Sequence, residues 1–195
     1  MGFTTGILLF DGMEELDFAG PLEVFAMAKQ DGDQVLTIAE KEGPVRGNLG
    51  LRVLPDHTIA DAPPLDVLVV PGGFGTRREA ENPVLLDWIK QAAANCTWVT
   101  SVCTGSMLLE ASGVIHGRKV TTHWAMVDTF RQKETVTVLD GRRYVRDGNV
   151  VTAAGVSAGI DMSLWVVGQL YSVDHARGVQ RFMEYDPAPP YAAEV

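Results

Sequence analysis

The chain has 195 residues, of which 46% are hydrophobic, so it can build a full hydrophobic core. Its formal net charge is −9, from 16 basic and 25 acidic residues, which argues against nucleic acid or an anionic membrane as a partner, because both need a basic surface. No apolar stretch reaches the roughly 18 residues that span a bilayer, and no charged start with an apolar segment behind it indicates a signal peptide.

Strands and helices alternate along the first part of the chain. "TTGILLF" (Thr4–Phe10) is typical of a buried strand, and Pro21 predicts that the following helix begins at about that residue, with Asp17 in the loop before it. "QVLTIAE" predicts a second strand, and "GPVRGNLGLRVLPD" predicts two short extended pieces with glycine turns. "LDVLVVPGG" (Leu65–Gly73) is the clearest buried strand, and it ends in two glycines.

The second part of the chain repeats this alternation. "NPVLLDWIKQAAAN" predicts a helix capped by Asn82 with Pro83 at its first position. "TWVTSVC" is a strand, and a short helix follows it over Thr104 to about Ser112. "RKVTTHWAMVDTFRQ" predicts a short strand and a helix, "VTVLDGRRYVRDGNVVTAAG" two strands with an Asp-Gly turn, and "GVSAGIDMSLWVVGQLY" and "DHARGVQRFMEY" two helices.

This alternation predicts a single α/β domain over residues 1–195, with a tail from about residue 186. Its sheet should be mainly parallel and covered by helices on both faces, which makes three layers. In such sheets, ligands bind at the carboxyl ends of strands. Cys103, Gly72, Gly73 and the loop that carries Asp17 all follow strand ends, so we expect them to converge on one crevice.

Cys103 lies where a buried strand passes directly into a helix, in "SVCTGSML". This pattern is typical of a nucleophile elbow, a tight turn that exposes its central side chain. The start of the helix should stabilise a thiolate, so we expect a lowered pKa at Cys103. The alternative is a buried structural cysteine, the reading that we prefer for Cys96. Seven extended residues separate the two sulfur-bearing positions by roughly 23 Å, too far for a disulfide, so both are predicted to be free thiols in a cytoplasmic protein.

The residues around Cys103 leave several alternatives open. The backbone N–H groups of Gly72, Gly73 and Thr104 could bind a developing anion, although two glycines after a strand also make a plain turn. From its position alone, Asp17 is equally a helix cap or a turn residue. His123 in "TTHW" is a possible accessory base for Cys103.

The substrate pocket and the cofactors are less well defined by the sequence. Phe18, Trp124 and Val156, with Phe74, are candidates for an apolar substrate pocket, or for ordinary core positions. No metal-ligand spacing, phosphate-binding loop or dinucleotide fingerprint is present, so we predict neither a metal nor another cofactor.

Four segments carry a family resemblance: "DGMEELDFAGPLEVF", "VLVVPGGFGT", "SVCTGSMLLEASGVIHGRKVTTHW" and "VVTAAGVSAGIDMSL". In this order they resemble the ThiJ/PfpI branch of the class I glutamine-amidotransferase-like superfamily, roughly from Thr5 to Tyr185. The resemblance implies a flavodoxin-like sandwich, an elbow cysteine at Cys103 and a homodimer that acts on a small molecule.

Within that branch the chain is most similar to isonitrile hydratases, which add water to R–N≡C and release a formamide. The resemblance assigns the nucleophile to Cys103, a general acid and base to Asp17, and a supporting role to Thr104. Relatives that act on α-oxoaldehydes typically carry Glu at position 17, and peptidase-like relatives carry His at position 104. Related transcription regulators continue into a DNA-binding region. An α-oxoaldehyde enzyme and a non-catalytic cysteine sensor are the alternative functions.

Overall fold

The structure, a computed structural model, describes residues 2–187. Its strands are β1 (Thr4–Leu9), β2 (Gln34–Ala39), β3 (Val45–Arg46), β4 (Arg52–Val53), β5 (His57–Thr58), β6 (Val67–Val70), β7 (Trp98–Ser101), β8 (Lys119–Val120), β9 (Thr137–Val138), β10 (Tyr144–Asp147) and β11 (Val150–Ala153). The central sheet has the order β10-β11-β7-β6-β1-β2-β5. Its neighbouring strands run parallel except for the antiparallel pair β10–β11, so the prediction of a mainly parallel sheet is confirmed.

Helices form the two outer layers. They are α1 (Glu15–Ala28), α2 (Thr76–Glu79), α3 (Pro83–Asn95), α4 (Gly105–Ala111), α5 (Val127–Arg131), α6 (Ala158–Leu170) and α7 (Val173–Phe182), with a 3-10 turn over Trp124–Met126. Helices α1, α6 and α7 pack on one another, and α4 packs on α2 and α3. The result is the predicted flavodoxin-like α/β architecture.

The strands in the middle of the sheet have no face that is exposed to solvent. Every residue of β6 is fully buried, as are Ile7 and Leu8 of β1. Helices cover both sides of these strands, so both sets of alternating side chains lie in the core. Strands β1, β6 and β7 are neighbours and end at the same edge of the sheet. Asp17 follows β1, Gly72 follows β6 and Cys103 follows β7.

Helix α1 begins earlier than the sequence predicts. Glu15 is its first residue, so Asp17 lies in its first turn and Pro21 lies inside the helix. Proline already has a helical φ angle, and at Pro21 it removes only the hydrogen bond to the Asp17 carbonyl. Burial of Phe18 and Phe25 against the core holds the helix together around that missing bond.

Other expectations have mixed outcomes. Asn82 caps α3 by accepting a hydrogen bond from the Leu85 N–H, and Pro83 is the first helical residue, as predicted. The single domain over residues 1–195 stays a prediction, and most of the predicted tail lies outside the described residues. No helix within residues 2–187 combines the length and the apolar character that crossing a bilayer needs.

Candidate active site

Cys103 occupies a strained turn between β7 and α4. Its φ angle is +56°, in the left-handed region that residues with a side chain seldom adopt. The Cys103 N–H donates to the carbonyl oxygens of Ala153 at 3.2 Å and Ala154 at 2.9 Å. Its own carbonyl accepts hydrogen bonds from the hydroxyls of Ser106 and Thr122, each at 3.1 Å. These four bonds fix the turn, and the predicted nucleophile elbow is present.

Gly105 allows α4 to start close to the sheet. A Cβ at this position would overlap the carbonyl oxygen of Val70 and lie 2.8 Å from that of Pro71. A glycine at position 105, two residues after the cysteine, is therefore required by the packing of helix on strand. This close approach keeps the Cys103 side chain at the carboxyl edge of the sheet.

Asp17 reaches the elbow from α1 and is fully buried. The Gly72 N–H donates to its Oδ2 at 2.9 Å, while its buried Oδ1 has no well-formed hydrogen bond with any described residue. Burial raises the pKa of Asp17 to about 7; the Gly72 bond opposes this, the charge of Glu14 adds to it, and the nearby Cys103 thiol lowers it. Asp17 and Cys103 are thus brought together, as expected.

The lowered pKa expected for Cys103 is wrong for this site. The residue is only 7% exposed, and burial, together with the negative charge of Asp17, raises the pKa of the thiol to about 12. The nearby backbone N–H groups of Thr104 and Val156 and the Thr104 side chain act in the opposite direction. The short helix α4 does not outweigh the loss of water and the neighbouring carboxylate.

The N–H groups of Gly72 and Gly73 are hydrogen-bonded within the protein. The expectation that they bind a developing anion on the substrate is therefore wrong. The Gly72 N–H is used by Asp17, and the Gly73 N–H donates to Oγ1 of Thr104 at 2.9 Å. Gly72 has no room for a side chain, because a Cβ would lie 2.5 Å from the Thr104 nitrogen and 2.9 Å from Oδ2 of Asp17. Gly73 has a φ angle of +122°, which explains why glycine follows glycine here.

Sequence reasoning missed Thr76, a fully buried residue at the start of α2. Its hydroxyl lies 2.7 Å from the Gly73 carbonyl oxygen and 3.2 Å from Oγ1 of Thr104. It thereby joins the glycine turn to the residue that follows the nucleophile. The signal in the sequence was its position directly after "PGGFG", the same motif that indicated Gly72 and Gly73.

The thiol opens into a cavity of about 200 Å³. Its walls are largely apolar, with charged groups at Glu14 and Arg77. Glu14, like Thr76, was missed by sequence reasoning. The lining residues are Glu14, Gly73, Phe74, Arg77, Cys103, Thr104, His123, Ala125, Met126 and Val156. Larger grooves exist elsewhere, such as one of about 950 Å³ beside α6 and α7, but Cys103 does not line them.

The predicted pocket residues divide into two groups. Val156 lines the cavity with a φ angle of +48°, which is rare for a β-branched residue. Phe18 lies in the core and Trp124 is 78% exposed, so neither belongs to the cavity wall, contrary to expectation. The Phe18 side chain is part of the buried core, and the Trp124 ring lies outside, 5.4 Å from the His123 ring.

His123 lines the cavity but makes no hydrogen bond to Cys103 in the part of the chain that the structure describes. Its Nδ1 accepts from the Ala125 N–H at 3.3 Å. Burial and the charge of Arg77 lower its pKa, so the ring is neutral at neutral pH. Cys96 is buried and free, as predicted, and no three His, Cys, Asp or Glu side chains among residues 2–187 are grouped to hold a metal ion.

The fold and the site define a class of flavodoxin-like α/β proteins with a cysteine at a strand-to-helix elbow. The chain belongs to the DJ-1/PfpI family, whose model matches residues 5–169. The predicted ThiJ/PfpI branch is confirmed by this match.

Known relatives support the same assignment. Isonitrile hydratase from Pseudomonas putida is 42% identical over 191 residues, which are 98% of this chain and 82% of that protein. The crystal structure of a ThiJ/PfpI family protein from Pseudomonas syringae has a TM-score of 0.91 at 34% identity and covers 100% of this chain and 80% of that one. Drosophila melanogaster DJ-1beta has a TM-score of 0.84 at 22% identity over 95% of this chain and 100% of that one, which shows the fold alone.

Proposed function

We propose that this protein adds water to an isonitrile, R–N≡C, and releases the N-substituted formamide R–NH–CHO. One observation carries the proposal: a fully buried carboxyl, Asp17, reaches the elbow beside Gly72 and Thr104, where its charge raises the pKa of the Cys103 thiol, and its Oδ1 has no hydrogen-bond partner among the described residues. A nucleophile and a proton donor are both needed at the same carbon of an isonitrile. The 42% identity to isonitrile hydratase supports this reaction.

The resting pair holds one proton at slightly alkaline pH. With pKa values of about 7 and about 12, Asp17 is the carboxylate and Cys103 the thiol. Transfer of that proton gives a thiolate beside a carboxylic acid, with no change in the number of protons bound. The transfer also removes the negative charge that disfavours the thiolate. The pair therefore generates its nucleophile and its acid in a single step.

In the first chemical step, the Cys103 sulfur bonds to the terminal carbon of the isonitrile. The carbon lone pair takes the proton that Asp17 received from the thiol. One carbon–nitrogen π bond is lost, and the product is the thioimidate R–N=CH–S–Cys103. Asp17 is again a carboxylate after this step.

In the second step, the Asp17 carboxylate accepts a proton from water as the water oxygen bonds to the same carbon. The proton passes to nitrogen and gives R–NH–CH(OH)–S–Cys103. The hydroxyl proton then leaves through Asp17 as the carbon–sulfur bond breaks, so the thiol is regenerated and the formamide leaves. No atom is oxidised or reduced, and no cofactor is needed.

Backbone groups support the sulfur through these steps. The N–H groups of Thr104 and Val156 favour the charged form of the sulfur, so they stabilise the negative charge that it carries during attack and release. The Thr104 hydroxyl is held by Gly73 and Thr76, which fixes the orientation of the residue next to the nucleophile.

The homodimer and the cytoplasmic location stay predictions. Light scattering of the purified protein tests whether it is a dimer.

The direct experiment is incubation with methyl isocyanoacetate, with the formamide followed by NMR. We expect turnover by the wild type and by Cys96→Ala, and none by Cys103→Ala. Formamide production that persists in Cys103→Ala would exclude the covalent route. Two further assays test the alternatives: consumption of methylglyoxal, and oxidation of Cys103 by low peroxide without turnover of either substrate.

A further inference from the structure

Among residues 2–187, Arg77 is the only arginine or lysine that lines the cavity of Cys103. It extends from α2, and its Nη1 contacts the Gly73 carbonyl oxygen at 3.2 Å and Oγ1 of Thr76 at 3.5 Å. Its Nη2 contacts the Met126 sulfur at 3.6 Å, and its guanidinium carbon lies 5.3 Å from the centre of the Phe74 ring. The guanidinium therefore lies between the two walls of the cavity.

These contacts leave the charge of Arg77 without an acidic partner in the described part of the chain. No described carboxylate forms a salt bridge with it, whereas the adjacent Arg78 pairs with Glu79 at 2.6 Å. A carbonyl oxygen and a thioether at long distances are weak acceptors for a guanidinium. The planar fork of arginine matches a carboxylate through two parallel hydrogen bonds.

The charges of the cavity are separated along its depth. Arg77 and Phe74 are exposed and lie at the mouth, while Cys103 is buried at the floor; Asp17 is fully buried and is not among the lining residues. Glu14, the remaining charged residue in the wall, raises the pKa of Asp17 by its charge and opposes the effect of Arg77 on His123. The Arg77 charge also extends over the inside of the cavity, because it lowers the pKa of His123.

We propose that Arg77 binds a carboxylate carried by the R group of the substrate, so that the preferred substrates are small isonitriles with a carboxylate distal to the reacting carbon. This inference rests on the proposed isonitrile hydration. The isonitrile carbon lies at the Cys103 sulfur, and the carboxylate lies at the mouth between Arg77 and solvent. A phosphate, with its greater negative charge, fits less well because Glu14 lines the same small cavity.

The test compares isocyanoacetate with its methyl ester, which has the same reacting group and no charge. We expect the wild type to prefer the acid, and the ratio of kcat/KM for acid over ester to fall about ten- to a hundredfold in Arg77→Gln, the range of a lost charge-assisted hydrogen bond. Arg77→Lys keeps the charge without the fork and should retain part of the preference. Arg142→Gln, an equal change of charge at an exposed position outside the cavity wall, should leave the ratio as in the wild type.

A binding measurement separates this inference from the proposed function. Cys103→Ala cannot turn over substrate, so calorimetry can compare N-formylglycine, the product of isocyanoacetate, with its methyl ester. We expect tighter binding of the acid, and loss of that difference when Arg77→Gln is added. If neither isonitrile is hydrated, the proposed function fails, and this binding result still decides whether Arg77 selects carboxylates. The inference is overturned if the wild type shows equal kcat/KM for the acid and the ester. It is also overturned if the ratio of these two values is unchanged in Arg77→Gln.

Discussion

Burial and the negative charge of Asp17 raise the pKa of the Cys103 thiol, while the nearby thiol lowers the pKa of Asp17. Removal of the charge in Asp17→Asn should therefore lower the thiol pKa and abolish hydration. The pH dependence of Cys103 alkylation by iodoacetamide, followed by peptide mass spectrometry, measures this. Glu14→Gln is a control that should leave the thiol pKa close to its wild-type value. An unchanged or higher thiol pKa in Asp17→Asn would contradict the coupling.

The pH–rate profile should reflect the proton held by this pair. Below about pH 7 both groups are protonated, and above it the pair carries the single proton that the reaction needs. We expect kcat/KM to rise through an apparent pKa of about 7 and to stay level well into the alkaline range. Initial rates of formamide release over that range are the measurement. A decline in kcat/KM through the same region would show that the doubly protonated pair is the reactive form.

Stability should also depend on the ionisation of Asp17. Its pKa is 3.8 in a peptide and about 7 in the folded protein, so the folded state binds the proton more tightly. The free energy of unfolding must then fall as pH rises between these values, by about 4 kcal/mol in total. Asp17→Asn should lack this loss and gain stability relative to the wild type as pH rises. Urea unfolding of both proteins at pH 5 and pH 8 measures this free energy. If it changes by the same amount in both proteins between the two pH values, the raised pKa of Asp17 is disproved.

The close approach of α4 to the sheet predicts an asymmetry between two glycines. Gly105→Ala would force a Cβ into the carbonyl oxygens of Val70 and Pro71, which should cost about 2 kcal/mol or more. Gly178→Ala in α7 has no atom within 4 Å of the new Cβ and should stabilise the protein by up to about 1 kcal/mol. Thermal or urea unfolding compares the two. Similar effects at both positions are not compatible with the described packing.

The Thr76 hydroxyl should support activity although Thr76 does not line the cavity. Thr76→Val removes its bonds to the Gly73 carbonyl and to Thr104, which should lower stability by about 1 kcal/mol and kcat/KM by up to about tenfold. Thr76→Ser keeps the hydroxyl and should restore most of both. Activity and melting temperature, measured on the same preparations, distinguish the two variants. Full activity in Thr76→Val would remove Thr76 from the site.

The sequence predicted the parts of the structure that short-range patterns determine. The apolar strands around Val67–Val70 and Trp98–Ser101, the cap at Asn82 and the elbow at Cys103 all depend on neighbouring residues. The convergence of Asp17 with Cys103 also followed, since parallel strands place their carboxyl ends along one edge. Local chemistry and sheet topology were sufficient for these.

Features set by distant parts of the chain were not predictable in this way. The sign of the pKa shift at Cys103 depends on how deeply Asp17 is buried beside it, and the use of the glycine N–H groups depends on Asp17 and Thr104. The positions of Phe18 and Trp124 depend on the direction in which each side chain leaves its helix or turn. The left-handed backbone at Val156 opposes the preference of valine, so no pattern in the sequence indicates it.

The hydrogen bonds at the elbow have a further consequence. Cys103 is held in the turn through its N–H and its carbonyl oxygen, which together make four hydrogen bonds. Because these bonds involve only backbone atoms of residue 103, they should hold the turn in the same conformation when its side chain is changed. Serine or asparagine at position 103 should occupy the same place as the native thiol, so this scaffold is a starting point for installing a different reactive group.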